Sequence, residues 1–183
     1  MASSAKSSQA QDREAAAYHE AGHAVAAYHL GQLGDIEHVS IFPPDDHGRT
    51  GFIKLAPIRD RHLPENLGKV RERLTVLMSG WAAEEKATGK DCPGAASGDI
   101  AEAFPFYVDA GFADGSGTLA VDGTIEHQND ESLYTEWLDK AREFMQTPEY
   151  WTEVEALKDE LLEHGQLTGE EVCDLIRGER RGR

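Results

Sequence analysis

Between Ala17 and His29 the sequence reads AYHEAGHAVAAYH, with three histidines and a glutamate in one short segment. His19 and His23 stand four residues apart and Glu20 follows the first, which is the H-E-x-x-H pattern. On an α-helix each residue advances about 100°, so side chains four apart differ by about 40° and lie one turn along the axis. Both imidazoles can then reach one cation. Glu20 leaves the same helix edge, close enough to touch a metal-bound water without ligating the metal. Two neutral nitrogen ligands and one general base on a rigid element suit zinc hydrolysis. Zinc lowers the pKa of a bound water to about 7, and a carboxylate beside it removes the proton during attack. The flanking residues are mostly alanine and Gly22 lies inside the motif, so another segment can approach this helix closely.

A catalytic zinc site needs a third protein donor. His29 stands six residues after His23, where metzincins place their third histidine. Those enzymes need a glycine three residues after the second histidine so that the chain can turn back. Here Ala26 and Ala27 favour continuation of the helix. On a continuing helix His29 points about 120° away from His23, so it reads as a surface or packing residue. Glu84 and Glu85 in SGWAAEEKATG, and Asp99 in ASGDIAEA, are the acidic candidates. Asp99 also fits a helix N-cap with Glu102 completing a capping box, and either glutamate fits a solvated helix face. The residues alone leave this choice open.

The elements that must carry these groups follow from periodicity. Ala17, Ala21, Ala24, Val25 and Tyr28 recur at helical spacing, predicting one helix from about Gln11 to Leu30 that Gly31 ends. DIEHVSIF and RTGFIKLA read as two short strands joined by the turn-rich PPDDHG. Pro64 suits a helix N1 position, and Leu67, Val70, Leu74, Leu77 and Met78 continue a buried face to about Ala87. Gly80 inside that helix costs about 1 kcal/mol relative to Ala, which points to close packing against a neighbour. TGKDCPGAASG is a loop, followed by a helix from about Ser97 to Ala110 that Pro105 should kink. Residues 111–130 are rich in Gly and Asp and are expected to be mobile. Leu133, Trp137, Leu138, Ala141 and Phe144 mark an amphipathic helix that ends before Pro148. Tyr150, Trp151, Val154, Leu157, Leu161 and Leu162 mark another that ends at Gly165. Thr168 and Glu171 form a capping-box pattern opening a last short helix.

Composition bounds what this scaffold can be. The 183 residues suffice for one domain with a real core. Hydrophobic residues at 39% and charged residues at 28% fit a soluble globular protein. No apolar run approaches the roughly 18 to 20 residues that span a bilayer, and the N-terminus lacks the apolar stretch of a secretory signal. A net charge of -16 argues against nucleic-acid binding and against anionic membranes. Cys92 and Cys173 form no motif and read as reduced thiols, which fits a cytoplasmic protein.

Together these segments resemble the peptidase domain of the FtsH family, membrane-bound ATP-dependent zinc proteases. AYHEAGHAVAA is very close to that family's signature. LTVLMSGWAAEEKATG is similar to its LxxLLGGRAAEE helix, GAASGDIAEA to its GASNDLxxAT segment, and LLEHGQLTGEEV to its LLExExLxGEEV end. The likenesses come in family order from about residue 13 to residue 177 and so cover nearly the whole chain.

The resemblance implies a mainly α (α+β) fold, a helical zinc peptidase with a small β-sheet or hairpin beside the active site. It implies one peptidase domain over residues 11–178, with a disordered tail at 1–10 and a short tail at 179–183. The cofactor would be Zn2+, held by His19, His23 and Asp99, with Glu20 as catalytic base. Glu84 and Glu85 would be helical and near the site without ligating. The activity implied is zinc-dependent endopeptidase cleavage of peptides or unfolded proteins, with the hairpin edge pairing to an extended substrate.

Several residues depart from the family pattern. Trp81 stands for an arginine, Gly98 for the asparagine beside the ligand, and Pro105 interrupts the helix carrying Asp99. The sequence holds no G-x-x-x-x-G-K-[ST] phosphate loop and no membrane span. Action without ATP is therefore expected of the chain alone, with a separate ATPase or unfoldase and a homo-oligomer as partners to test for. Met1 and the residues ahead of the helix favour a stand-alone domain over a piece of a larger protease. A second function class is a zinc-binding or regulatory module that kept the fold and metal, lost proteolysis and acts through a partner. An intact Glu20 favours the enzyme, because a base is useful only for chemistry.

Overall fold

The computed structural model describes residues 2–32, 36–41, 52–55, 57–91, 97–109 and 131–179. Cys92, the whole PPDDHG connection, residues 111–130 and nearly all of the C-terminal tail lie outside the described residues. The protein is mainly helical with one small sheet, as the sequence implied.

Helix α1 spans Ala2–His29. It begins well ahead of Gln11, so the segment expected as a disordered tail belongs to the helix that bears His19, Glu20 and His23. No proline or glycine precedes Gly22, and alanine, lysine, glutamine, arginine and glutamate supply helix propensity there. Gly31, at φ 73°, ends the helix as expected.

Strands β1 (His38–Ser40) and β2 (Phe52–Lys54) pair antiparallel, with Val39 opposite Ile53. Next come a 3-10 turn over Pro64–Asn66 and helix α2 (Leu67–Thr88), which Gly89 closes in the left-handed conformation. Helix α3 spans Ser97–Asp109 and continues through Pro105, an exposed residue. Helices α4 (Glu131–Met145) and α5 (Pro148–His164) follow. A third strand, β3 (Gln166–Thr168), then leads into α6 (Gly169–Ile176).

The third strand was not foreseen. Its three residues are too few to show alternation, and only Leu167 is buried. It pairs antiparallel with β1, so β1 is central and the order is β2-β1-β3. The capping box did form: Thr168 accepts from the Glu171 amide, and the Glu171 carboxylate accepts from the Thr168 amide.

Two helices form the centre of the molecule. In α1 every residue from Ala21 to Ala27 is buried, and in α2 every residue from Arg73 to Glu84 is buried. They pack on each other. Helix α5 covers α1 through Val154, Leu157 and Leu161, while α4 and α3 cover α2. The sheet contacts α1 through both β1 and β2. Helices surrounded in this way keep polar groups only where those groups are satisfied or used. Among the described residues no helix is long and apolar enough to cross a membrane.

Candidate metal centre

The crossing of α1 and α2 is built on two glycines. A Cβ on Gly22 would stand 2.5 Å from Ala83 Cβ and 2.5 Å from the Ser79 carbonyl oxygen. A Cβ on Gly80 would run into the His23 ring and stand 2.7 Å from His19 Cδ2. The close packing inferred from both glycines is therefore present, and at Gly80 the close neighbours are the histidines of the motif.

His19, Glu20 and His23 are 7%, 5% and 1% exposed. The two imidazoles meet edge to face, centroids 4.8 Å apart. Their Nε2 atoms converge on one oxygen of Asp99, brought in by the first turn of α3: His19 at 2.8 Å and His23 at 3.4 Å. Their Nδ1 atoms point elsewhere. His19 Nδ1 lies 3.1 Å from a Glu84 oxygen, and His23 Nδ1 lies 2.7 Å from the Val76 carbonyl. Holding Nδ1–H on a carboxylate and a carbonyl fixes the tautomer that leaves Nε2 free as a ligand.

The donor set fits a zinc ion. One donor atom from each of His19, His23 and Asp99 can be chosen so that all three lie within 4.8 Å of one another. A tetrahedral zinc with ligands at about 2.0–2.2 Å sets neighbouring donors about 3.3–3.6 Å apart. The His23–Asp99 separation of 3.4 Å already matches, and the His19–Asp99 hydrogen bond at 2.8 Å need lengthen only by about half an ångström. Nitrogen and carboxylate donors on buried, rigid helices are the ligands that zinc accepts.

The electrostatics agree. Burial raises the Asp99 carboxyl, but the charges and hydrogen bonds of His23 and His19 outweigh it and hold the group well below the usual carboxylate range. Burial lowers His19 and His23, and the neighbouring carboxylates, Asp99 first among them, together more than offset this, so both lie above the ordinary imidazole value. The cluster thus holds positive charge beside Asp99, which a divalent cation supplies in place of protons. Glu20 differs: burial pushes it up to about 7, with the two histidines opposing and Asp99 adding. Its Oε2 is buried and has no hydrogen-bond partner among the described residues. An orphaned buried carboxylate oxygen beside a ligand set calls for a water or a reacting group.

The other candidates separate clearly. Glu84 reaches His19 from behind, 3.1 Å from its Nδ1 and away from the shared focus of the Nε2 atoms, in keeping with the resemblance, which placed it near the site without ligating. Glu85, next in the chain, pairs with Arg142 of α4 through two hydrogen bonds at 2.7 and 3.0 Å. His29 pairs with Glu153 of α5 at 2.6 Å and lies outside the cluster. The Val76 carbonyl left no trace in the sequence, because any residue supplies one. Trp81 is buried, stacks on Tyr134 and donates to an Asp91 oxygen at 3.1 Å. Gly98 meets nothing that a Cβ would crowd, so no steric demand explains the glycine there.

Comparison with known proteins gives a family. The family model described as Peptidase family M41 matches residues 6–106. A protein of Methylibium petroleiphilum named ATP-dependent zinc metalloprotease FtsH is 40% identical over 92 residues, which are 50% of this chain and 14% of that protein. ATP-dependent zinc metalloprotease FtsH 3 of Sphaerobacter thermophilus is 40% identical over 94 residues, covering 51% of this chain and 18% of its own length. An FtsH of Caulobacter vibrioides is 26% identical along 92% of this chain, yet the match spans 30% of that relative. The chain thus matches less than a third of the length of each of these proteins.

Proposed function

Because the chain belongs to peptidase family M41, we propose that it is a zinc-dependent metalloendopeptidase in which His19, His23 and Asp99 hold the metal and Glu20 is the general base. The observation that carries this reading is the Glu20 carboxylate oxygen, buried and unpartnered one residue from a ligand histidine. A purely structural or regulatory metal site has no use for such a group, which costs stability where it stands.

When bound, the zinc ion supplies Lewis-acid activation of a water and of the scissile carbonyl. The chain's own residues do the rest. His19 and His23 present Nε2 while Glu84 and the Val76 carbonyl hold their Nδ1–H groups. Glu20 takes the proton from the attacking water and passes it to the leaving amine nitrogen. The buried walls of α1 and α2 exclude bulk water and keep these groups in place. Strand β2 is an edge of the sheet among the described residues, and an extended peptide can add there as a further strand.

The substrate follows from energetics. A stable folded protein must open locally before it can offer an extended strand, at a cost that reaches its global stability. No phosphate-binding loop exists in this sequence to couple ATP to that opening. Acting by itself, this segment would therefore take peptides and unfolded chains, and a folded substrate would first have to be opened by an ATP-driven module. The test is a gel assay of casein and of a stable folded domain, each with and without ATP and chelator. Casein should be cut without ATP, cleavage should stop with chelator and return with zinc, and the folded domain should survive. Rapid loss of the folded domain, or ATP stimulation without a second protein, contradicts this. Zinc binding with no cleavage of casein points instead to a regulatory module.

A further inference from the structure

Of the three donors, His19 and His23 share helix α1, and Asp99 comes from elsewhere. Asp99 sits in the first turn of α3, inside the helix rather than at an N-cap, and meets His19 across 80 positions of sequence. Bringing it there carries a loop-closure cost, which each fixed point along the connection reduces. The connection from α2 is fixed from its start. Gly89 takes the left-handed conformation that ends α2 and donates its N–H to the Glu85 carbonyl at 2.8 Å, and Lys90 N–H donates to Thr88 Oγ1 at 3.2 Å. Asp91 then reaches back along α2. Its Oδ1 accepts the Trp81 indole N–H at 3.1 Å, although Trp81 stands well before the Thr88 end of the helix, about 10 Å down its axis. The same indole, 4% exposed, stacks on Tyr134 in the first turn of α4, centroids 6.1 Å apart. Asp91 precedes α3 in the chain and Tyr134 follows it, so one side chain fastens both flanks of the ligand-bearing segment to α2. That side chain is next in sequence to Gly80, against which both motif histidines pack, and it stands where the family pattern carries an arginine.

We propose that Trp81 is a positioning residue of the metal centre: by fastening Asp91 and Tyr134 to α2, it holds the intervening segment where Asp99 can meet His19 and His23. The inference rests on the reading of Asp99 as a zinc ligand. An indole suits the task, because its flat ring stacks on Tyr134 while its single N–H reaches Asp91, and few rotors are frozen in doing both. The measured affinity for a cation is the intrinsic affinity multiplied by the fraction of molecules that have the ligand in place. The indole–carboxylate bond is one fastening among several. Its loss therefore weakens zinc binding roughly threefold to fivefold rather than abolishing it. Loss of the whole ring removes both fastenings and costs more.

Two measurements on the full chain separate positioning from a merely structural role: zinc affinity by competition with a chelating dye, and stability of the metal-free chain by chemical denaturation. Trp81→Phe keeps a ring for Tyr134 and removes the donor. Asp91→Ala removes the acceptor and keeps the stack. Each should weaken zinc binding roughly threefold to fivefold, and the double variant should be no weaker than either single one, because both delete the same bond. Asp91→Asn retains a side-chain carbonyl acceptor and should recover most of the affinity. Trp151→Phe changes an indole that stacks on Tyr18 and should leave zinc affinity unchanged, whatever it does to stability. Zinc affinity that stays at the wild-type value in both Trp81→Phe and Asp91→Ala overturns the inference, even if stability falls. So does an equal loss of affinity in Trp151→Phe, or losses that add in the double variant. Asp99→Ala is measured alongside: stoichiometric zinc there refutes the ligand set itself, and this inference with it.

Discussion

Two of the histidine–carboxylate contacts made by helix α1 have different surroundings. His29 meets Glu153 at 2.6 Å, with side chains 23% and 20% exposed, against the rings of Tyr150 and Phe144. His19 meets Asp99 at 2.8 Å in a nearly closed space beside His23 and Glu20. Both distances are those of ordinary hydrogen bonds. What differs is convergence. At His19 two imidazole Nε2 atoms share one carboxylate oxygen, each Nδ1 is held from behind, and a further carboxylate oxygen lies buried without a partner among the described residues. At His29 the pair is complete in itself, and its remaining contacts are aromatic packing. Closeness of histidine and carboxylate therefore does not define a metal centre. A shared focus, outer partners and one group left over for chemistry do.

The largest separation between the two regions should come from metal binding. Asp99→Ala removes a ligand and should lose both zinc and hydrolysis, while His29→Ala should keep both. Zinc content of the purified variants by elemental analysis decides this, and stoichiometric zinc in Asp99→Ala would refute the ligand set. Next comes the base. Glu20→Gln should keep zinc and fold but lower peptide turnover by about 10²- to 10⁴-fold, because an amide cannot accept the proton. Wild-type turnover in that variant would remove Glu20 from the mechanism.

Smaller effects test the outer partners. Glu84→Gln weakens the acceptor for His19 Nδ1–H and should cost about 10- to 100-fold in zinc affinity by competition with a chelating dye. The adjacent Glu85→Gln should leave zinc affinity unchanged and cost at most about 1 kcal/mol in chemical denaturation, because its partner Arg142 is partly solvated. Equal effects of the two substitutions would mean that Glu84 has no special hold on His19.

What could be read from the sequence follows the range of each interaction. The His19/His23 pair and the direction of His29 are set within one helix, so helical geometry alone describes them. The long helices α2, α4 and α5 carry enough repeats of apolar spacing to be placed near their observed ends, and Pro64, Pro148, Gly89 and Gly165 mark their limits. Strand β3 carries one inward residue and depends on pairing with β1, which no local pattern encodes. The N-terminal segment looked like a tail because serine and alanine show no amphipathic stripe, yet it continues the helix behind it. Asp99 meets His19 across 80 positions in the sequence. The residues therefore left Asp99, Glu84 and Glu85 as equals, and only the tertiary packing set Asp99 on the Nε2 side of His19, Glu84 on its Nδ1 side and Glu85 on Arg142. Gly22 and Gly80 were the exception among long-range features, since an unexplained glycine inside a helix announces a close neighbour without naming it.

The most direct test is a crystal structure of the zinc-loaded chain with anomalous data collected on both sides of the zinc absorption edge. One strong peak should lie about 2.0–2.2 Å from His19 Nε2, His23 Nε2 and an Asp99 carboxylate oxygen, with Glu20 close by but not coordinated. A zinc ion held by Glu84 or His29 in place of Asp99, or one ligated by Glu20 itself, would contradict the assignment of the site.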